Sequence, residues 1–396
     1  MAYRELSTSL PSWLSCGVYS GGMRFSRLQR VAAVSALALL TSGCGGGGGD
    51  GGGSAAATAG STAGTSSSPV VVAPPAPSPS PSPAPAPAPT ATPTPAVTPV
   101  PAPGPAAGSW AAKTAALFTT QPDVANCRPG VLSEQVRADV LARMNYIRAL
   151  HRLPPVTYAP PEDEQATQAS LMMAANGQLS HTPATTWKCY TSVGATGAGT
   201  SNLYGGLISP YLAYYTEDMY LGGWLTETTN LVANNVGHRR WMLDPFLGKI
   251  AYGRVAQVLA DGSRTDAATM KVFSFAGGVP VPASLPDFVA YPYGDYPARY
   301  FDPAALLSFS VIADAKQHGG ANASVDFANA TITVKSGTTT LTVSNVSYDN
   351  TGYGLPNNIQ FAVAGLQNNV QYDVTIANVV VRGKTTSYSY SFRTVP

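Results

Sequence analysis

Asn145-Tyr146-Ile147-Arg148, followed by His151-Arg152-Leu153-Pro154-Pro155-Val156, is the stretch on which the reading of the fold turns. Upstream of it, Ser133 can cap a helix, because its hydroxyl can accept from the first free backbone N–H groups. Val136, Val140, Met144 and Ile147 then recur on one face as far as Leu150, the period of a buried helical stripe. Leu153-Pro154-Pro155 ends that helix, since proline disfavours helical geometry in the residue before it. Working outward, a second helix rich in Ala and Met is expected from about Asp163 to Asn176, with Asn176-Gly177 as its stop. A third is expected from about Leu212 to Val232, with Tyr220, Trp224, Glu227 and Leu231 on one stripe. Gly222-Gly223 inside it costs up to ~1 kcal/mol per glycine relative to alanine and thins it there. Strands are expected around Ile250-Ala251-Tyr252 and from Met270 to Phe275.

Three further segments follow the first helix: Ser180-His181-Thr182-Pro183, Trp224-Leu225-Thr226-Glu227, and Gly237-His238-Arg239-Arg240-Trp241-Met242-Leu243-Asp244-Pro245. Each is weak alone. In this order and approximate spacing, together with the opening stretch, they resemble the CAP superfamily of cysteine-rich secretory, antigen 5 and pathogenesis-related proteins (the SCP domain). The resemblance implies an α+β fold over residues 110–284, a three-layer α-β-α sandwich with a central antiparallel sheet. It also implies a cleft over two histidines and two glutamates. Carried over by motif, these are His181, His238 and Glu227. Where the family usually has Gly-Glu-Asn-Leu or Ile, this chain reads Thr200-Ser201-Asn202-Leu203, so Ser201 stands in place of a carboxylate. Glu217 or Asp218 could substitute for it, though no spacing demands either.

Two imidazoles and one carboxylate suit a borderline ion such as Zn²⁺, which at catalytic sites takes three protein ligands and a water. Loss of the fourth group's charge weakens a site for Ca²⁺ or Mg²⁺, which prefer several oxygens. The metal ligands would be His181 and His238, with Glu227 as third ligand or, in an enzyme, the catalytic carboxylate. The same set can instead knit helices to loops by hydrogen bonds. Glu227 must have a partner, because an unpaired carboxylate beside Trp224 and Leu231 would be costly. His151, at a helix end where a cation complements the dipole, reads as a cap or surface residue. His318 lies in a Gly-rich turn and reads as solvated, and Gly194 to Gly199 as a flexible rim loop. No His-Glu-x-x-His or Gly-x-Ser-x-Gly motif occurs, and no Gly-x-x-x-x-Gly-Lys-Ser/Thr phosphate loop.

At 396 residues the chain is too long for one ordinary domain, and a net charge of +2 with 11% charged residues gives no electrostatic case for nucleic acid. Read from Met23, which is the expected start, Arg24, Arg27 and Arg30 precede the apolar run Val31 to Leu40 and Thr41-Ser42-Gly43-Cys44. This is a secretory signal, too short to span a bilayer. Its end resembles a lipobox, which would make Cys44 a lipidated residue, and Gly45 after it favours the outer membrane of the cell envelope. Residues 45–109 are Gly-rich, then Ala/Ser/Thr-rich, then Pro-rich. Such a tether cannot bury enough apolar area to offset its ordering entropy. Its polyproline part, at ~3.1 Å per residue, reaches roughly 90 Å.

Cys16 precedes the expected start and Cys44 is the lipid site, which leaves Cys127 and Cys189 as a pair. In an oxidising compartment they read as a disulfide, with two buried thiols as the alternative. Over residues 285–396 the apolar pattern changes to period two. Tyr372, Val374 and Ile376 alternate, as do Tyr388, Tyr390 and Phe392, and Thr331 to Val334 and Leu341 to Val343 are further short strands. This implies an all-β antiparallel sandwich. Gly365-Leu366 ahead of Tyr372 resembles the tyrosine corner of fibronectin type III-like modules, in which this part acts as spacer or docking surface. The leading functional expectation is an exported, membrane-anchored, non-enzymatic protein. Its cleft binds a small apolar or envelope-derived ligand, alone or with a divalent metal, Zn²⁺ ahead of Ca²⁺ or Mg²⁺. The alternatives are a metal-assisted hydrolase of envelope polymer or peptide, and an adhesion module with an inert cleft.

Overall fold

The structure, a computed structural model, describes residues 108–396. The targeting segment, Cys44 and the tether up to residue 107 lie outside the described residues. Helix α1 (Trp110–Ala115) and strands β1 (Phe118–Thr120) and β2 (Val131–Leu132) lead into α2 (Glu134–Leu150). Ser133 Oγ caps α2 by accepting from the Val136 backbone N–H at 3.3 Å, and Val136, Val140, Met144 and Ile147 are all buried. Then come β3 (Thr157–Tyr158), α3 (Asp163–Asn176), α4 (Ser192–Gly199), β4 (Ser201–Ser209), α5 (Glu217–Thr226), α6 (Gly237–Met242), β5 (Lys249–Val258) and β6 (Arg264–Lys271).

The sheet runs β3-β5-β6-β4, antiparallel except for the two-residue parallel pair β3–β5. Its central strands are buried on both faces, and their side chains alternate between two cores. Tyr252, Ala256, Ala268 and Met270 face α2 and α5, whereas Leu203, Val255 and Ala267 face α3 and α4. This is the three-layer α-β-α arrangement. The Cys127–Cys189 disulfide forms and closes a separation of 62 residues, worth about 4 kcal/mol by loop entropy.

Two expectations fail here. Gly194 to Gly199 is not a rim loop but most of helix α4. Thr191 Oγ1 caps it at 2.9 Å, and its small residues let it lie on α3 so closely that a Cβ at Gly197 would strike the Gln165 carbonyl. The third helix is ten residues long, not twenty: α5 starts at a Thr216 cap and stops where Glu227 turns left-handed at φ +61°. Leu231, expected on its buried stripe, is 76% exposed.

The second part contains β7 (Phe288–Tyr291), β8 (Gly294–Pro297), β9 (Leu307–Val311), β10 (Thr331–Ser336), β11 (Thr339–Thr340), β12 (Val343–Asp349), β13 (Asn358–Val363), β14 (Gln371–Val381) and β15 (Lys384–Val395). They form two sheets, β11-β10-β14-β15-β8 and β12-β13-β9-β7. The sheets meet face to face: the Phe309 ring of β9 lies 5.3 Å from Tyr388 and 6.2 Å from Tyr390 of β15. Pairing is antiparallel apart from β8–β15, which is parallel and departs from the expected pattern. Tyr372 Oη accepts from the Gln367 backbone N–H at 2.8 Å.

One apolar cluster runs without a break from α2 and α5 into both sheets of the second part. Two histidines lie elsewhere than on the surface. His151 does follow α2, but it is 2% exposed: Nδ1 donates to the Ala290 carbonyl at 2.7 Å and Nε2 accepts from Tyr296 Oη at 3.0 Å. Burial holds its pKa down to about 3. His318 is half-buried, not solvated; Nε2 donates to the Gly354 carbonyl and the ring meets Phe246 edge-on at 5.8 Å. Gly354, at φ +70°, sits against the Arg240 backbone, where a Cβ would collide with the carbonyl. Among the described residues no helix is long and apolar enough to cross a membrane.

Candidate functional site

The loop from Thr228 to Val236 is tied to itself by asparagines. Asn230 Nδ2 donates to the Asn235 carbonyl at 3.2 Å, Asn230 Oδ1 accepts from Val232 N–H, and Asn235 Oδ1 accepts from Gly237 N–H at 2.6 Å. This loop delivers His238 onto α6 beside the carboxylate that ends α5. Glu227 Oε2 accepts from His238 Nδ1 at 2.8 Å and from Asn230 Nδ2 at 2.9 Å, and Oε1 accepts from the Arg239 backbone N–H at 3.0 Å. The Glu227 side chain is 3% exposed, so the partner that burial demanded is His238, with Asn230 and Arg239. A left-handed backbone at a residue other than glycine is strained by about 1–2 kcal/mol, and here three hydrogen bonds hold it.

Both expected histidines line one cavity of about 700 Å³, inside the range of small-molecule sites. His181 Nδ1 donates to the Ala198 carbonyl at 2.8 Å. A carbonyl or carboxylate can only accept, so in each neutral ring Nδ1 carries the proton and Nε2 keeps its lone pair. Ser201 lines the same cavity, 4% exposed, with an Oγ that has no partner among the described residues. Next to it, Asn202 Nδ2 holds the His238 carbonyl at 3.0 Å.

Glu217 and Asp218 do not replace the missing carboxylate. Glu217 pairs with Arg254 at 2.6 Å, and Asp218 with Arg143 at 2.8 Å and with Tyr300 Oη. Both Glu227 oxygens already accept, and among the described residues no three His, Cys, Asp or Glu side chains are grouped to hold a metal ion. A zinc set of His181, Glu227 and His238 therefore does not fit this geometry. Glu227 orients His238 instead.

The opposite wall comes from the second part of the chain: Ser347, Tyr348 and Asp349 of β12, then Thr351, Tyr353 and Gln360. Arg240 fixes that wall, pairing with Asp349 at 2.8 and 3.0 Å and donating to the Leu355 carbonyl at 3.1 Å. Gln360 Nε2 reaches back to the Asn234 carbonyl.

Residues 141–257 match the family described as CAP: Cysteine-rich secretory protein family. This segment is a CAP domain. Among solved structures, MpPR-1i is similar at 11% identity and a TM-score of 0.25, over 36% of this chain and 92% of that one. No curated protein matches the chain. The family match spans His181, Ser201, Glu227 and His238 and stops before the β-sheet wall, so that wall is an addition to the CAP domain.

Arg148 and Arg239, inside the motifs quoted at the outset, received no role from the sequence. Arg148 donates to the carbonyls of Pro154, Met242, Asp244 and Leu247. Arg239 donates to those of Leu225, Thr226 and Leu306, with its guanidinium 3.8 Å from the Tyr291 ring centroid. A fully buried arginine in a CAP motif is the one available signal, because its donors must be satisfied inside the protein. Nothing in the sequence links Arg240 to Asp349, 109 positions away.

Proposed function

We propose that the chain is an envelope-tethered binding protein whose CAP cleft, walled on one side by the β-sandwich, holds a small ligand against the imidazoles of His181 and His238. The lipid anchor at Cys44, the export signal and the fibronectin-like character of the sandwich belong to this reading on the sequence motifs alone. One observation carries it. Both rings are pinned at Nδ1 by acceptors behind them, which leaves two oriented nitrogens on a single cavity. Pinning of this kind fixes ring orientation and tautomer before a ligand arrives. The cavity is mixed: amides and hydroxyls stand among Val232, Ala233, Val236 and aromatic rings, and more of its wall is apolar than polar, so it suits a ligand that joins apolar faces to polar atoms.

The test is recovery of small molecules from the full chain isolated from its own cell envelope, beside the double variant His181→Ala/His238→Ala. A compound identified by mass spectrometry in the parent and lost from the variant supports binding. Repeated recovery of empty protein overturns it.

A second reading rests on the Glu227–His238 pair, whose geometry is that of a carboxylate orienting a general base. In it, His238 Nε2 takes a proton from water or a substrate hydroxyl during hydrolysis of envelope material. Turnover abolished by Glu227→Gln with ligand capture retained would favour this reading over simple binding. Stoichiometric Zn²⁺ in the parent that disappears from the double histidine variant would restore the metal-dependent form.

A further inference from the structure

We infer that the ligand of this cavity is a neutral glycan, a chain of uncharged sugar rings; the inference rests on the binding reading above and names its ligand class. The first observation is charge. Apart from the imidazoles, the charged side chains on the wall are Arg240 and Asp349, and they neutralise each other through two hydrogen bonds. Among the described residues no unpaired cation lines the cavity for a phosphate, sulfate or carboxylate, and no unpaired anion for an ammonium group.

The second observation is the kind of polar group. Asn234, Asn235, Ser347, Thr351 and Ser201 offer amides and hydroxyls, which both donate and accept as sugar hydroxyls do. Ser201 Oγ is the sharpest of these. It is buried, lines the cavity and has no partner among the described residues, and such a group carries its desolvation cost until something bonds it.

Aromatic faces on the lining are the third. Tyr353 is 60% and Tyr348 48% exposed, and Trp241 stacks on Phe273 at 4.4 Å on the same lining. The face of an aromatic ring is electron-rich, and it attracts the weakly positive C–H groups on one side of a pyranose. Aromatic rings and exposed amides and hydroxyls on one lining match a sugar chain that presents C–H patches and hydroxyls in alternation.

A peptide is disfavoured by the same wall. Strand β12 is a sheet edge, but its register breaks between Ser344 and Ser347, and Asn345 there has φ +49°. A bulge of this kind interrupts the row of backbone groups that an added strand would need.

The experiment measures binding of the full chain to a tetramer of β-linked N-acetylglucosamine and a neutral hexose tetramer. Comparisons are a sulfated oligosaccharide, phosphatidylglycerol vesicles and an unmodified peptide library. The expected result is saturable binding of a neutral tetramer, weakened about ten-fold or more by Tyr353→Ala and again by Ser201→Ala. The far-UV spectra of both variants should match the parent, since Tyr353 is exposed and Ser201→Ala removes only an unpaired hydroxyl. Preference for the sulfated chain, vesicles or peptides overturns the inference, as does failure of both neutral tetramers. Should the envelope-isolated chain still carry a compound that the double histidine variant loses, the binding reading survives and only the glycan class falls. Should that arm also come back empty, both fall.

Discussion

His151 and His238 each have Nδ1 bound to an oxygen, and they serve opposite purposes. At the junction beneath α2, His151 spends its second nitrogen on Tyr296 Oη and is sealed among Tyr291, Tyr296 and Arg239. At the cavity, His238 has the Glu227 carboxylate behind it and open volume in front, with 21% of its side chain exposed. Both nitrogens satisfied makes a structural lock. One satisfied and one exposed makes a site. What separates the two is the second nitrogen's surroundings, which depend on residues more than a hundred positions away at the junction.

The largest expected effect lies at the junction. His151→Ala should destabilise the chain by roughly 3–5 kcal/mol, because it leaves a cavity and strands the Ala290 carbonyl and Tyr296 hydroxyl. Denaturant unfolding measures it, and a loss under about 1 kcal/mol would show that the lock is not where stability resides.

Acid sharpens the same contrast. His151 ordinarily titrates at 6.5 and burial lowers it to about 3, so the unfolded chain binds this proton first. Stability from this residue is complete above pH 6.5 and falls steadily as pH drops toward 3. Over the interval from pH 6.5 to 4 the loss is about 3 kcal/mol. Asp244, raised by burial from 3.8 to about 6, has the opposite sign: its contribution is present below 3.8 and is lost as pH rises through 6. The two partly cancel between pH 4 and 6. In His151→Gln the histidine component should vanish, leaving a chain whose stability rises on mild acidification; an unchanged profile would contradict the assignment.

Arg240→Met tests the wall joining the two regions. It removes the pair with Asp349 and the bond to the Leu355 carbonyl, for roughly 2 kcal/mol, since Asp349 is itself 39% exposed. Ligand capture should weaken together with stability. By contrast His181→Ala/His238→Ala should shift unfolding by only about 1 kcal/mol, as Glu227 keeps Asn230 and Arg239, while capture is lost. Large destabilisation with capture intact would turn the cavity histidines into a second lock.

The layered fold, the capped helix α2, the placing of His181 and His238 on one cavity and the need of Glu227 for a partner were legible because each is encoded locally. Ser133 precedes a periodic apolar stripe, and the histidines stand in short motifs with fixed neighbours. The role of Glu227 was not, since a carboxylate that binds a metal and one that orients a histidine look alike in sequence. His151 was misjudged because its partners, Ala290 and Tyr296, lie on strands of a separate fold unit. The glycines of α4 resemble a loop until α3 is seen to leave no space for side chains. Tyr348, Tyr353 and Asp349 belong to a sandwich whose pattern reports only which face is buried, and β12 is exposed.

The smallest expected effect on stability falls on Ser201, and it separates site from scaffold most cleanly. A buried hydroxyl without a partner keeps its desolvation penalty and returns nothing, so Ser201→Ala should leave the free chain unchanged or stabilise it by up to ~1 kcal/mol. A structural serine behaves the other way: Ser170, whose Oγ bonds the Gly253 carbonyl at 3.0 Å and Thr269 Oγ1 at 2.9 Å, should lose stability on the same change. Thermal unfolding of the two variants side by side is the measurement. If Ser201→Ala costs as much as Ser170→Ala, the hydroxyl already has a partner in the folded chain, and the polar floor of the cavity is closed rather than waiting for a ligand.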